Sequence, residues 1–227
     1  GVHATFFVLG WVAKRSPQLV RDIHAAGHEV ACHGLTHRTV YTQTPEVFRA
    51  ETSEAKQRLE DATGVPVRGY RAATYSITAR SLWALDILEE LGFSYDSSIF
   101  PIRHDLYGIP GSPRFAYRAA SGSLLEVPIT TVEYLGQRLP AGGGGYFRLL
   151  PYVLFRAAVR RVNTRDRQAA VFYCHPWEID PGQPRVAGVS AKSRFRHYTN
   201  LDRMESRLRR LLRDFRWGRM DEVFGVG

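Results

Sequence analysis

Glu29-Val30-Ala31-Cys32-His33-Gly34-Leu35-Thr36-His37 sets a short apolar run directly against two imidazoles four residues apart. A run of this length suits a buried strand, and the glycine after His33 suits a tight turn, so both rings fall in one loop at a strand end. Upstream lies a second apolar run, Ala4-Thr5-Phe6-Phe7-Val8-Leu9. Between the two, Ser16-Pro17 reads as an N-cap and first helical residue, Val20, Ile23 and His24 share one face, and Gly27 stands where a helix C′ residue belongs. The pattern is strand, helix, strand. It then repeats: a helix starts at Thr44-Pro45 and runs towards Gly64, a strand spans Val67 to Tyr70, a helix runs from about Thr78 to Leu91 and stops at Gly92, and Phe93-Ser94-Tyr95 follows.

Beyond this, the Pro- and Gly-rich stretch from Ile99 to Pro113 reads as a long loop over the strand ends. Leu124 to Ile129 and Thr131 to Leu135 are strand-like, and Gly142-Gly143-Gly144-Gly145 reads as a flexible loop before a helix from near Pro151 to about Asn163. Ala169 to Cys174 reads as another buried strand. A last amphipathic helix turns Leu201, Met204, Leu208, Leu211, Leu212 and Phe215 inward and Arg207, Arg209, Arg210 and Arg213 outward. Alternating strands and helices predict an α/β fold with a mainly parallel sheet, and closure into a barrel would put the active site on the loops after the strands. An open doubly wound sheet would use the same strand ends. No linker divides the chain, so residues 1–227 read as one domain.

Composition narrows the function classes. With 44% hydrophobic and 23% charged residues in 227, the chain can bury a core, which excludes disorder and collagen-like repeats. No stretch approaches the roughly 18 consecutive apolar residues of a membrane span. The net charge of +9 gathers between Arg194 and Arg219 and favours anionic partners, although the solvated face of a helix accounts for it equally well; nucleic acid is not an expected partner. Cys32 and Cys174 both end apolar runs and read as buried thiols rather than a disulfide framework. The chain opens without methionine straight into an apolar strand, which raises the expectation of a missing upstream segment.

The residues richest in chemistry, His33, Arg71, Asp96 and His175, each fall just after a predicted strand. His33 and His37 could face one metal ion, but two nitrogens leave a hydrolytic zinc site short of a third protein ligand. In Phe172-Tyr173-Cys174-His175-Pro176-Trp177-Glu178, an imidazole leaves an apolar strand beside a proline and an aromatic. That suits a general acid, and it also suits a structural histidine that caps a loop.

Four blocks together carry a resemblance: Ala4 to Leu9 with Gly10-Trp11-Val12-Ala13, His33 to His37, Gly69-Tyr70-Arg71-Ala72-Ala73-Thr74-Tyr75-Ser76, and Phe172 to Glu178. Tyr95-Asp96-Ser97-Ser98-Ile99-Phe100-Pro101 and the stretch from Gly143 to Pro151 add to it. In these the chain resembles the polysaccharide deacetylases with a NodB homology domain, carbohydrate esterase family four, and is similar to their subgroup linked to exosortase-type exopolysaccharide gene clusters. The resemblance implies a distorted (β/α)-barrel, here missing its first strand. It implies His33 and His37 as ligands of a divalent metal, zinc first, with cobalt or nickel as alternatives. His175 would protonate the leaving amine, Asp96 would hold His175, and Arg71 would orient a catalytic carboxylate. The backbone near Thr74 would stabilise the oxyanion, and Tyr75 and Trp177 would line a groove for an N-acetylated polysaccharide.

Three departures from the family stand out. Ala73 replaces a proline, Tyr173 replaces an aliphatic residue, and the family's aspartate-rich first motif would lie upstream of Gly1. Without that motif the chain lacks the general base and a metal ligand, so the fragment itself is expected to be nearly inactive. Deacylation of a non-sugar amide on the same fold, and non-catalytic binding of an anionic glycan, stand as the alternative readings.

Overall fold

The structure, a computed structural model, describes residues 1–119 and 122–226, which gather into two compact units, Gly1–Pro128 with Trp217–Gly227, and Ile129–Arg216. In the first unit, β1 (Thr5–Val8) leads through α1 (Gly10–Arg15) and α2 (Pro17–Ala25) to β2 (Glu29–Cys32). Then come α3 (Pro45–Thr63), β3 (Gly69–Tyr70), α4 (Trp83–Glu90), β4 (Tyr95–Asp96), β5 (Tyr117–Arg118) and β6 (Leu125–Glu126). The sheet order is β1-β2-β3-β4-β6-β5, parallel throughout except for the β5–β6 pair. The expected α/β class and mainly parallel sheet are present. Among the described residues the ladder runs as an open order with β1 at one edge.

Local chemistry explains the clearest element. Thr44 accepts a hydrogen bond from the Val47 N–H through Oγ1 (3.3 Å), Pro45 opens α3, and Gly64 closes it at φ 73°. Phe48, Thr52, Ala55 and Leu59 recur at helical spacing and are the buried face of α3. Gly10 lets α1 cross this helix closely, because a Cβ there would lie 2.7 Å from Ala55 Cα. Two expectations need correction. Ser16 makes no side-chain cap on α2, and α4 starts at Trp83 rather than Thr78. The second has a cause in Ser81: its Oγ accepts from the Thr78 N–H (2.9 Å) and donates to the Ser76 carbonyl (3.1 Å), holding residues 78–81 in a turn.

The C-terminal segment belongs to this unit and packs at the starts of β1 and β2. Met220 N–H donates to Thr5 Oγ1 (2.8 Å), and Asp221 N–H donates to Glu29 Oε2 (3.2 Å). Tyr95 O–H donates to the other oxygen of Glu29 at 2.8 Å. The sheet's far end is thereby closed off, and burial raises the Glu29 carboxyl above its ordinary range.

In the second unit, β7 (Thr131–Tyr134) and β8 (Gln137–Pro140) form a hairpin turned by Leu135 and Gly136, both at positive φ. It continues with α5 (Gly144–Leu149), α6 (Tyr152–Arg161), α7 (Ala191–Tyr198) and α8 (Met204–Asp214). The strand expected over Ala169 to Cys174 reduces, among the described residues, to a single parallel bridge between Tyr173 and Gly143. The glycine run is not simply loop, since Gly144 and Gly145 open α5. Leu201, Met204 and Leu211 are buried as expected, and Leu208, Leu212 and Phe215 are half-buried. Arg207, expected outward, is turned in: its Nη1 donates to the carbonyls of Phe147 (2.9 Å), Arg148 (2.8 Å) and Leu150 (3.1 Å). Those carbonyls end α5 and have no partner within the helix, which is what draws a donor to them. Among the described residues no helix is long and apolar enough to cross a membrane.

Candidate active site

The loops that follow β2 and β3 hold five of the eight expected site residues, and Asp96 ends β4. His33 continues the β2 ladder, its N–H donating to the Val8 carbonyl (2.9 Å). Its Nδ1 lies 2.7 Å from the Arg71 carbonyl. A carbonyl only accepts, so Nδ1 carries the proton of the neutral ring and Nε2 the lone pair. Gly34 and His37, both at positive φ, curl the loop back, and the His33 and His37 rings meet edge to face with centroids 5.2 Å apart. Two imidazoles suit zinc, cobalt or nickel, and a carbonyl on the outer ring nitrogen is the usual support of a metal-binding histidine. Among the described residues no group of three or more His, Cys, Asp or Glu is placed to hold an ion.

Arg71 is buried. Its N–H donates to the Cys32 carbonyl (2.9 Å), its Nε to the Ser97 carbonyl (3.0 Å) and its Nη2 to Ser97 Oγ (2.7 Å), while its guanidinium lies 4.0 Å from the centre of the Phe7 ring. Directly after it, Thr74 and Tyr75 both adopt left-handed backbone, at φ 56° and 52°. For β-branched Thr74 this is a strained conformation that the surroundings must impose. Three contacts impose it: Ala72 N–H donates to Ser98 Oγ (2.8 Å), Ser76 Oγ donates to the Ala73 carbonyl (2.6 Å), and Val40 N–H donates to Ser76 Oγ (2.9 Å). The loop is thus braced without the family's proline at Ala73. Tyr75 is buried against Phe100 and Tyr107, with centroids 5.8 and 5.7 Å away.

Asp96 is fully buried and accepts from Ser98 Oγ (2.6 Å) and Ser98 N–H (3.3 Å), so it reaches the Arg71 loop through Ser98. Its register partner on β6 is Glu126, also fully buried, whose Oε1 accepts from the Ile99 N–H (3.0 Å). Two carboxyl groups bond to each other only with a proton between them. Burial, and then the adjacent Asp96, push Glu126 well above the ordinary carboxylate range, so Glu126 keeps that proton. Asp96 is itself raised by burial, with the hydrogen bonds from Glu126 and Ser98 pulling the other way. Sequence reading missed Glu126. Its signal was an acid inside the apolar run Leu124 to Ile129, which must find a partner to be buried.

His175 and Trp177 lie in the second unit, after the Tyr173 bridge. His175 Nδ1 is 3.0 Å from Glu178 Oε1, which also accepts from the His175 N–H at 3.0 Å. The other oxygen, Oε2, accepts from Arg148 Nε at 2.8 Å, and both Arg148 and Glu178 are almost completely buried. Burial alone would lift the Glu178 carboxyl, but the hydrogen bonds from His175 and the Arg148 contact bring it below its ordinary range. Trp177 stacks on His175 (5.4 Å) and on His197 (3.9 Å). Glu178 and Arg148 were inside the quoted blocks, yet nothing in their spacing linked them. Neither cysteine offers a nucleophile, because burial pushes both free thiols up to about 12; Cys32 is buried as expected, Cys174 only partly.

Comparison with known proteins fits this layout. Residues 1–95 match the polysaccharide deacetylase family, and residues 97–225 match the family described as domain of unknown function DUF3473. A chitooligosaccharide deacetylase of Bradyrhizobium sp. (strain ANU 289) is 33% identical over 87 residues, a stretch that takes up 38% of this chain and 37% of that protein. The match therefore spans less than two fifths of the relative's length. Among solved structures, PuuE allantoinase superposes with a TM-score of 0.60 at 16% identity, covering 98% of this chain and 66% of that one. The Bc1960 peptidoglycan N-acetylglucosamine deacetylase does so at 0.53 and 13%, covering 98% and 75%. At these identities the likeness is one of fold, the α/β fold of the NodB-type deacetylases. With more than half of its length matched by DUF3473, and that part following directly on a polysaccharide deacetylase domain, the chain belongs to the DUF3473 family.

Proposed function

We propose that the protein is a metal-dependent hydrolase that removes N-acetyl groups from an amino-sugar polysaccharide, in the making or modification of an exopolysaccharide, as the exosortase-associated subgroup would. The observation that supports this reading is the His33–His37 pair, which brings two imidazoles within 5.2 Å of each other and gives His33 Nδ1 the Arg71 carbonyl, the outer hydrogen bond usual for a metal-binding histidine. His33 and His37 would hold a divalent ion, zinc by preference, with cobalt or nickel able to replace it. Such an ion supplies a nucleophilic water near neutral pH and polarises the acetamide carbonyl.

The chain's own residues account for the other steps except the removal of a proton from water. The resemblance assigns the backbone near Thr74, held at φ 56°, to the oxygen that becomes negative as water adds to the carbonyl carbon. Arg71, fixed through Ser97, orients the carboxylate that takes the proton from water; the family resemblance draws that carboxylate, and the third metal ligand, from the family's aspartate-rich first motif. His175 gives its proton to the sugar nitrogen as the C–N bond breaks, so that a free amine and acetate leave. Tyr75 and Trp177 would line the sugar, as the resemblance implies.

The test is acetate release from an N-acetylated oligosaccharide by the full-length protein that carries these residues. Release should stop with a chelator, return with zinc or cobalt, and be lost in His33→Ala. Turnover that ignores both the chelator and that substitution would overturn the reading.

A further inference from the structure

We propose that Glu178, clamped by Arg148, is the positioning residue that fixes the ring orientation and tautomer of His175, a role that family resemblance gives to Asp96. The catalytic value of this arrangement rests on the reading of His175 as proton donor, but the arrangement itself does not.

Both oxygens of Glu178 are committed. Oε1 accepts from the backbone N–H and lies 3.0 Å from Nδ1 of the same histidine, and Oε2 accepts from Arg148 Nε. Arg148 cannot swing away with it, because its Nη1 donates to the carbonyls of His197 (3.1 Å) and Thr199, and its Nη2 to the carbonyl of Arg196 (3.0 Å). A guanidinium with every nitrogen engaged and only 2% of its surface exposed is a fixed donor, so it dictates a fixed acceptor. The turn is closed from the other side by the Glu178 N–H donating to the His175 carbonyl (2.9 Å). Gly144 completes the seat: a Cβ there would come within 2.4 Å of both Glu178 oxygens, so only glycine leaves room for the carboxylate.

The chemical result follows from the charge of Glu178. An ionised carboxylate only accepts, so Nδ1 of His175 must carry a proton, and Nε2 becomes the nitrogen that gains and loses one. Trp177, stacked on the ring, sets its plane.

The experiment is nitrogen NMR of the imidazoles, with the His175 signals among the eight histidines identified by their loss in His175→Asn. In the wild-type chain the neutral His175 ring should be protonated at Nδ1. In Glu178→Gln, Arg148 requires an oxygen on its side, which turns the amide nitrogen towards His175 and should move the ring proton to Nε2. The full-length enzyme carrying Glu178→Gln should lose at least about tenfold in kcat with KM little changed, a split that loss of a merely structural cap would not produce. A wild-type ring protonated at Nε2 would overturn the proposal, and that spectrum decides alone if Glu178→Gln fails to fold. So would a tautomer that moves in Asp96→Asn and not in Glu178→Gln. Should the tautomers behave as described while His175→Asn leaves acetate release intact, the reading of His175 as proton donor fails and the positioning link stands.

Discussion

Asp96 and Glu126 stand side by side on the parallel strands β4 and β6, both fully buried, so that Glu126 keeps a proton. The pair is expected to make stability pH-dependent in a direction opposite to that of an ordinary ion-paired acid. Glu126 is raised by burial, so above the ordinary carboxylate range the unfolded chain releases this proton while the folded chain keeps it. The folded state then binds more protons, and stability falls as pH rises from about 4.5 through the raised value. Glu126→Gln can donate to Asp96 through its amide and has no proton to lose. Denaturation at about pH 5 and about pH 8 should show the variant gaining on the wild type at the higher value. A constant difference between the two would show that Glu126 does not hold the proton.

Gly144→Ala should cost about 1–3 kcal/mol, because the new methyl meets the Glu178 carboxylate, and Arg148 holds that carboxylate in place. Gly145→Ala is the control. Nothing lies within 4 Å of a Cβ there, so alanine should be tolerated or add up to about 1 kcal/mol of helix stability. Urea denaturation of the two variants makes the comparison.

Helix α8 offers a graded series. Leu211→Ala empties a fully buried position and should cost about 2–5 kcal/mol. Arg207→Ala leaves the carbonyls at the end of α5 without their donor and should cost about 1–3 kcal/mol. Arg209→Ala breaks only an exposed pair with Glu205 and should cost less than about 1 kcal/mol. If Arg207 behaved like Arg209 in thermal unfolding, its inward turn would carry no weight.

Ser98→Ala should loosen the strained loop. It removes the hydroxyl that accepts from the Ala72 N–H and donates to Asp96, leaving two buried groups short of a partner. About 1–3 kcal/mol of stability should be lost. Faster hydrogen exchange at residues 72–76, with the α3 amides unchanged, would place the loss in that loop.

Much of this was legible in the sequence wherever the determinants are local. Thr44-Pro45 and Gly64 bound α3 as read, because a cap, a first-turn proline and a left-handed glycine act within a turn or two of the chain. The His33–His37 spacing fixed a two-imidazole loop, and the leucine spacing of α8 fixed its buried face, for the same reason. Long-range partners decided the rest. The apolar run before His175 has strand composition, yet only Tyr173 finds a pairing neighbour. Arg207 sits on the polar face by periodicity but is drawn inward by carbonyls about sixty residues away in the chain. Glu126 is an acid in an apolar run until β4 sets Asp96 beside it, and Glu178 is a charged residue after a proline until Arg148, thirty positions earlier, closes on it. Sequence determined which residues could carry chemistry, because their types and turn spacing are written locally. Only the tertiary structure decided which acid holds which base, because a buried charge is settled by whatever the fold brings within hydrogen-bond reach of it.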